Sequence, residues 1–291
     1  MKKTDRNALI ALPLVILVGA GVAWAGSQHS AEAFGLPIFA LAVGLAFLIQ
    51  WLAFIPAYLL QTEKFYDLTG SITYLTVTAA AVILSPEVDV RSLLLMGLVI
   101  IWAGRLGTFL FRRILKEGGD QRFDDIKPSL FRFLNAWTLQ GLWVTFTLAA
   151  ALAAITTTNR VELGFFALAG LLIWLLGFGI EAAADAQKSR FRAQPENQGK
   201  FINTGLWKWS RHPNYFGEIT LWVGVALIAL PTLQGWGYLT LISPVFVAVL
   251  ITRVSGVPML EERADQKWGG QKDYEEYKKN TPVLIPSPPR K

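Results

Sequence analysis

The sequence predicts an all-α fold: a polytopic bundle of about eight transmembrane helices. Three observations predict it. Hydrophobic residues make up 53% of the chain and mean hydropathy is +0.41. Only 16% of residues are charged, against about a quarter in an ordinary soluble domain. Apolar runs recur at close to the ~20 residues that a helix needs to cross a bilayer, and the loops between them alternate in basic content.

The runs fall at 8–25, 36–60, 68–85, 92–114, 136–156, 162–184, 215–230 and 235–253. The first follows MKKTDR, so it has the layout of a signal peptide, with AWAGS as a weak cleavage site. The spans after it favour an uncleaved first helix. The last two runs are short. Pro231 and Gly235 mark a turn between them, which predicts a helical hairpin that is partly re-entrant.

Eight crossings put the N-terminus, the loops 62–67, 115–135 and 185–214, and the C-terminus on one side. Those segments carry most of the loop cations, among them Lys3, Arg6, Lys64, Arg122, Lys127, Lys188, Arg190 and Lys200. The opposite loops carry Arg91 and Arg160. Basic loops face the cytoplasm, so both termini are expected there, in a bacterial inner membrane. The expected organisation is an N-terminal helix over 1–30, a transmembrane core over 31–260 and a cytoplasmic tail over 261–291. The tail, ending LIPSPPRK, reads as a short amphipathic segment at the membrane surface followed by a flexible end.

Composition also excludes classes of chemistry. There are no cysteines and two histidines, His29 and His212, so no metal site is expected. The net charge of +6 fits basic loops facing anionic lipid. No recognition motif points to nucleic acid. The expected partners are membrane lipid and a lipophilic small molecule, with a monomer as the working unit.

Polar residues inside apolar spans are costly and mark candidate sites. Glu181 and Asp185 lie one helical turn apart. Arg105 interrupts one span and Gln140 opens another. Glu218 follows Asn214 by one turn. Mutual pairing between helices is the structural alternative for each. The segment GLWKWSRHPNYFGE at 205–218 is the most specific. An interfacial aromatic belt accounts for Trp207, Trp209 and Tyr215, but not for the order Arg211-His212-Pro213-Asn214. Pro213 suits a first helical turn, helix-start amides hold anions, and Arg211 and His212 can meet a phosphate or carboxylate.

GLWKWSRHPNYFGE resembles the signature of the steroid 5-alpha-reductase-like membrane family, in its bacterial uncharacterised branch. The RHPxY core is shared with the isoprenylcysteine carboxyl methyltransferases, which are similar in their C-terminal membrane half. Asn214-Tyr215-Phe216-Gly217-Glu218 is similar to the reductase pattern. So are Gly179-Ile180-Glu181, where the reductases carry asparagine in place of Glu181, with Asp185 and Arg192 at the following spacings, and Leu139-Gln140-Gly141. The resemblance covers roughly 65–286 and implies a seven-span core with the first helix added.

It implies NADPH as cofactor, bound by Glu181, Asp185, Arg192, Arg211, His212, Asn214, Tyr215, Glu218 and Arg253, with Arg190, Arg192 and Lys200 as mobile-loop cations. A dinucleotide with a ribose phosphate needs several cations. For catalysis, Asp67 falls by offset at the family's glutamate position, beside Tyr66. Trp102, three residues before Arg105, falls near the tyrosine position, so either Tyr66 or Tyr74 takes that role or the substrate differs from a steroid. A helix N-cap is the structural alternative for Asp67.

The resulting expectation is an oxidoreductase of lipid metabolism. It transfers hydride from NADPH to the C=C bond of a lipophilic α,β-unsaturated carbonyl, 3-oxo-Δ4-steroid-like or a related lipid. Asp67, Tyr66 and Arg105 serve the oxygen. The alternative is an S-adenosylmethionine-dependent membrane methyltransferase, which needs fewer phosphate-binding cations. A transporter needs polar residues towards both faces, whereas these cluster towards one.

Overall fold

The computed structural model describes residues 3–288. Among them, eight helical segments are long and apolar enough to cross a membrane. The chain runs α1 (Lys3–Ser27), a two-strand hairpin β1 (Glu32–Ala33) and β2 (Leu36–Pro37), α2 (Ile38–Leu59), α3 (Tyr66–Leu84), α4 (Val90–Glu117) and α5 (Leu130–Thr156). It continues through α6 (Phe165–Ala193), α7 (Pro213–Ala229), α8 (Ile242–Val249), α9 (Val257–Trp268) and α10 (Lys272–Asn280). Each predicted apolar run coincides with one of the eight segments.

The boundaries differ where chemistry other than hydropathy sets them. α6 continues to Ala193, so Arg190 and Arg192, expected on a mobile loop, lie in its last turn. Asp67 is not an N-cap: Phe65 holds that place and Asp67 lies in the first turn of α3, where a carboxylate complements the helix dipole. The last predicted run is broken into a 3₁₀ segment (Gly235–Leu241), α8 and a π segment (Leu250–Val254). Asp89 caps α4 by accepting from Ser92 N at 2.7 Å, and Gly118 ends it in the left-handed conformation.

Contacts divide the chain into two compact units. The first is Met1–Ala167 with Ile228–Ser243. α5 is its core, with α1, α2 and α3 packed against it and α4 packed on α3. The run from Ala149 to Ala154 is buried throughout. Helices in lipid gain little from hydrophobicity and associate by close packing of small residues. Gly26 follows that rule: a Cβ there would come within 2.3 Å of the Phe39 ring. At one end of the unit Phe54, Phe123, Phe133 and Trp137 form an aromatic cluster.

The second unit is Leu168–Leu227 with Pro244–Lys291. Leu168, Leu172, Leu175 and Leu176 lie exposed along α6, the pattern of a face turned to lipid rather than water. The opposite side of α6 meets α7 backbone to backbone. A Cβ on Gly177 would lie 2.5 Å from Leu221 N, one on Gly217 2.6 Å from Glu181 N, and one on Gly224 2.5 Å from the Gly170 carbonyl.

Candidate functional site

These glycine contacts set the geometry of the second unit. Gly217, which belongs to the RHPN segment, is there because α6 passes too close for any side chain. The crossing holds the buried Glu181 and Asp185 of α6 beside the start of α7. There Asn214 Nδ2 donates to Asp185 Oδ1 at 3.2 Å. Glu218 follows one turn along α7.

Before α7 the chain is fixed by its own C-terminal segment. Arg211 N donates to the Pro282 carbonyl at 2.9 Å and Ser287 N to the Trp209 carbonyl at 3.0 Å. Ser210 Oγ donates to the Leu284 carbonyl at 2.8 Å, and the Tyr277 hydroxyl to the Trp207 carbonyl at 2.7 Å. The tail expected to be a flexible end is therefore a strap across Trp207–Arg211, at least as far as Ser287. Its last three residues, 289–291, lie outside the described residues.

Pro213 opens α7 at its first position, as its fixed φ favours. Arg211 and His212 then meet one carboxylate, Glu261 of α9. Arg211 Nη1 lies 2.5 Å from Glu261 Oε2 and His212 Nε2 lies 2.7 Å from Oε1. His212 is buried, and its ring stacks on Tyr215 at 5.7 Å and 13°. Burial holds the His212 imidazole below its ordinary pKa, aided by the nearby Lys188 and Arg211 charges and opposed by Glu261.

His212 and Arg211 line a cavity of about 300 Å³. Six cations border it: Lys188 and Arg192 from α6, Lys200, Arg211, and Arg263 and Lys267 from α9. The one acid is Glu261. Among the described residues no carboxylate forms an ion pair with Arg192, Lys200, Arg263 or Lys267. Aromatic faces complete the lining. Lys188 Nζ lies 4.5 Å over the Trp207 ring and Lys267 Nζ 4.8 Å over Trp268. Phe201 packs against Tyr274 and Tyr277, each at 5.3 Å. Clustered cations in excess of acids, with flat aromatic walls, suit an anionic ligand that also has rings.

Of the nine residues expected to hold a cofactor, Arg192, Arg211 and His212 line this cavity. Glu181, Asp185, Asn214, Tyr215 and Glu218 sit on the adjoining turns of α6 and α7. Arg253 is exposed on the π segment and is not part of the lining. Sequence reasoning missed Glu261, Arg263 and Lys267 by treating 261–291 as a tail. The spacing of Arg263 and Lys267, one helical turn, was the available signal.

The residues expected to serve catalysis lie in the first unit. Asp67 is 3.5 Å from Arg113 of α4. The Tyr66 hydroxyl donates to the Ala136 carbonyl at 2.9 Å. Its ring is walled by Phe123 at 4.9 Å and Trp137 at 5.0 Å. Arg105 lies eight residues before Arg113, about 12 Å along the helix axis. Tyr74 meets Trp102 edge-on at 5.1 Å. The Gln140 amide rests against α3 at Gly70, where a Cβ would come within 2.7 Å of Nε2.

A family model described as "Protein of unknown function (DUF1295)" matches residues 53–281. The chain belongs to that family. Curated relatives of this DUF1295 chain include the Delta(14)-sterol reductase of Saccharomyces cerevisiae, 34% identical over 122 residues, 38% of the chain and 27% of the relative. The 3-oxo-5-alpha-steroid 4-dehydrogenase 1 of Bos taurus is 32% identical over 120 residues, 41% of each protein. The steroid 5-alpha-reductase DET2 of Gossypium hirsutum is 30% identical over 119 residues, again 41% of each. The DUF1295 chain thus spans less than half the length of the curated relatives it matches. No solved structure matches it.

Proposed function

We propose that this chain is a membrane-embedded, NADPH-dependent reductase acting on the C=C bond of a lipophilic α,β-unsaturated carbonyl. One observation carries the reading: the cavity bordered by six cations and a single acid. NADPH, when bound, supplies the hydride. Lys188, Arg192, Lys200, Arg263 and Lys267 would hold its phosphates, and the aromatic walls would stack its rings. Arg211, His212 and the Asp185–Asn214 pair would supply hydrogen-bonding groups for its neutral parts, with Tyr215, Glu181 and Glu218 on the adjoining turns as further contacts. The reductase names of the curated relatives support the reaction class.

Hydride adds to the β-carbon and a proton is needed to balance it. We assign that proton to Asp67, with Arg105, and Tyr66 once its hydroxyl is released from the Ala136 carbonyl, stabilising the charge that develops on the carbonyl oxygen. The apolar environment strengthens each of these interactions. The basic loops are assigned to the cytoplasm of a bacterial inner membrane with both termini inside, which reporter fusions at either terminus test.

The deciding experiment measures binding of NADPH and of S-adenosylmethionine to purified protein, followed by NADPH oxidation against a panel of lipid enones with mass analysis of products. Tight NADPH binding and a product heavier by two hydrogens are expected. Thermal stabilisation by S-adenosylmethionine alone would overturn the reading in favour of a methyltransferase.

A further inference from the structure

The geometry points to Glu261 as a positioning residue: its carboxylate holds His212 in the tautomer that leaves Nδ1 as a bare hydrogen-bond acceptor for a neutral N–H or O–H of the bound dinucleotide. The identity of that ligand rests on the function proposed above. The tautomer rests on the protein alone.

A carboxylate only accepts hydrogen bonds. Glu261 is held ionised by Arg211 at its other oxygen. At 2.7 Å from Glu261 Oε1, His212 Nε2 must therefore carry the hydrogen. Turning the ring over would put carbon against the carboxylate and forfeit the bond. The charged groups near the imidazole are Glu261, Arg211 and Lys188. In this buried setting a second ring proton is disfavoured, so Nδ1 keeps its lone pair.

That Nδ1 is buried and has no hydrogen-bond partner. The residue that carries it lines the cavity and is held in place. Tyr215 stacks on the ring, His212 N donates to Ser210 Oγ at 3.1 Å, and the strap holds Arg211. An orphaned buried acceptor is a standing cost to the free protein, which a ligand donor removes. The phosphates of a dinucleotide present only acceptors and cannot serve. Its carboxamide N–H and ribose O–H groups can. The single acid in a cationic cavity thus has a second consequence. Glu261 makes one position of the cavity select a neutral donor, while Arg192, Lys200, Arg263 and Lys267 select the phosphates.

The test uses the full chain with ¹⁵N-labelled histidine. Because the chain has two histidines, His29→Gln leaves one signal pair to assign. In the otherwise unaltered chain the proton is expected on Nε2. Glu261→Ala should give a mixture of tautomers and weaken NADPH binding about tenfold, the loss of one neutral hydrogen bond. Glu261→Gln, whose amide oxygen still accepts, should keep the Nε2–H tautomer and lose less affinity. A merely structural role for Glu261 would not sort the variants by tautomer. A proton on Nδ1 before substitution, or an unchanged tautomer in Glu261→Ala, overturns the inference. An Nε2–H tautomer in a chain that does not bind NADPH overturns the proposed function and the ligand assigned to Nδ1, leaving the hold of Glu261 on the ring intact.

Discussion

The Tyr66 hydroxyl donates to the main-chain carbonyl of Ala136 at 2.9 Å, tying the first turn of α3 to α5. Removing it leaves the ring packed among Phe123 and Trp137. Tyr66→Phe should therefore cost about 1 kcal/mol of stability, the net worth of one hydrogen bond. Because that hydroxyl is already engaged, Tyr66→Phe should slow enone reduction less than Asp67→Asn, with NADPH affinity unchanged in both. Thermal unfolding and single-turnover rates check this. Abolished turnover in Tyr66→Phe alone would make the tyrosine, not Asp67, the proton source.

Arg91 is buried at the other end of the first unit. Its guanidinium donates to the carbonyls of Val161 at 3.1 Å, Glu162 at 2.8 Å and Ile228. It joins the start of α4 both to the 161–162 loop and to Ile228, so Arg91→Met should leave the carbonyls unsatisfied and cost at least about 3 kcal/mol. Arg91→Lys should rescue little, because an ammonium lacks the planar fork. Denaturant unfolding in detergent measures both. A loss under about 1 kcal/mol in Arg91→Met would show that other donors replace it.

The spans were legible in the sequence because a helix in lipid must satisfy its own backbone, so an apolar run and an element coincide. The ends of α6 were not. Residues 185–193 are polar but contain good helix formers such as Ala186, Gln187 and Lys188, and propensity carries the helix past the apolar run. Arg211 and His212 were legible as a motif. Glu261 was not, because it stands 50 and 49 residues away from them and such pairing leaves no periodic trace. The strap was unreadable for the same reason: its main-chain bonds to Trp209 and Arg211 are independent of side-chain identity.

Stability should depend on pH in two separate windows. Burial keeps His212 below its ordinary pKa of 6.5 in the folded chain. As pH falls through about 6.5 the unfolded chain takes up that proton first, so the folded state loses stability below this value and is fully stable above it. Glu63 behaves differently. Burial raises its carboxyl, but Lys127 at 2.7 Å and the Asp120 amide at 2.8 Å outweigh burial and hold it below 4.5. Its contribution is present above about 4.5 and lost below. His212→Gln should abolish the upper decline and spare the lower one. An upper decline that persists in His212→Gln would assign it to another group.

Deleting residues 281–291 removes every main-chain bond of the strap to Trp209 and Arg211 while leaving α10 in place. The loop before α7 then has to be ordered by the ligand itself, which lowers affinity without removing any cavity cation. NADPH binding should weaken about tenfold with helical content unchanged by circular dichroism. Equal affinity in the truncated chain would mean that Glu261, the Tyr215 ring and the Tyr277 hydroxyl order the segment without the strap.

Two pairs of like charges face the cavity one helical turn apart, Lys188 with Arg192 on α6 and Arg263 with Lys267 on α9. Like charges at that spacing repel and mildly destabilise their helix. Orientation in the membrane accounts for basic residues at the ends of spans but not for their convergence on one cavity. Arg263→Gln should therefore leave the free chain as stable as before or slightly more so, while weakening NADPH binding. NADH, which has one phosphate fewer, should lose less affinity if Arg263 or Lys267 meets the ribose phosphate. Affinity for NADPH should also fall steeply with added salt in the unaltered chain and less steeply in Arg263→Gln, because exposed cations are screened by salt. Comparing the two nucleotides at two salt concentrations separates a phosphate contact from general basicity. Equal losses for NADPH and NADH would reduce the pair on α9 to ordinary basic residues at the end of a span.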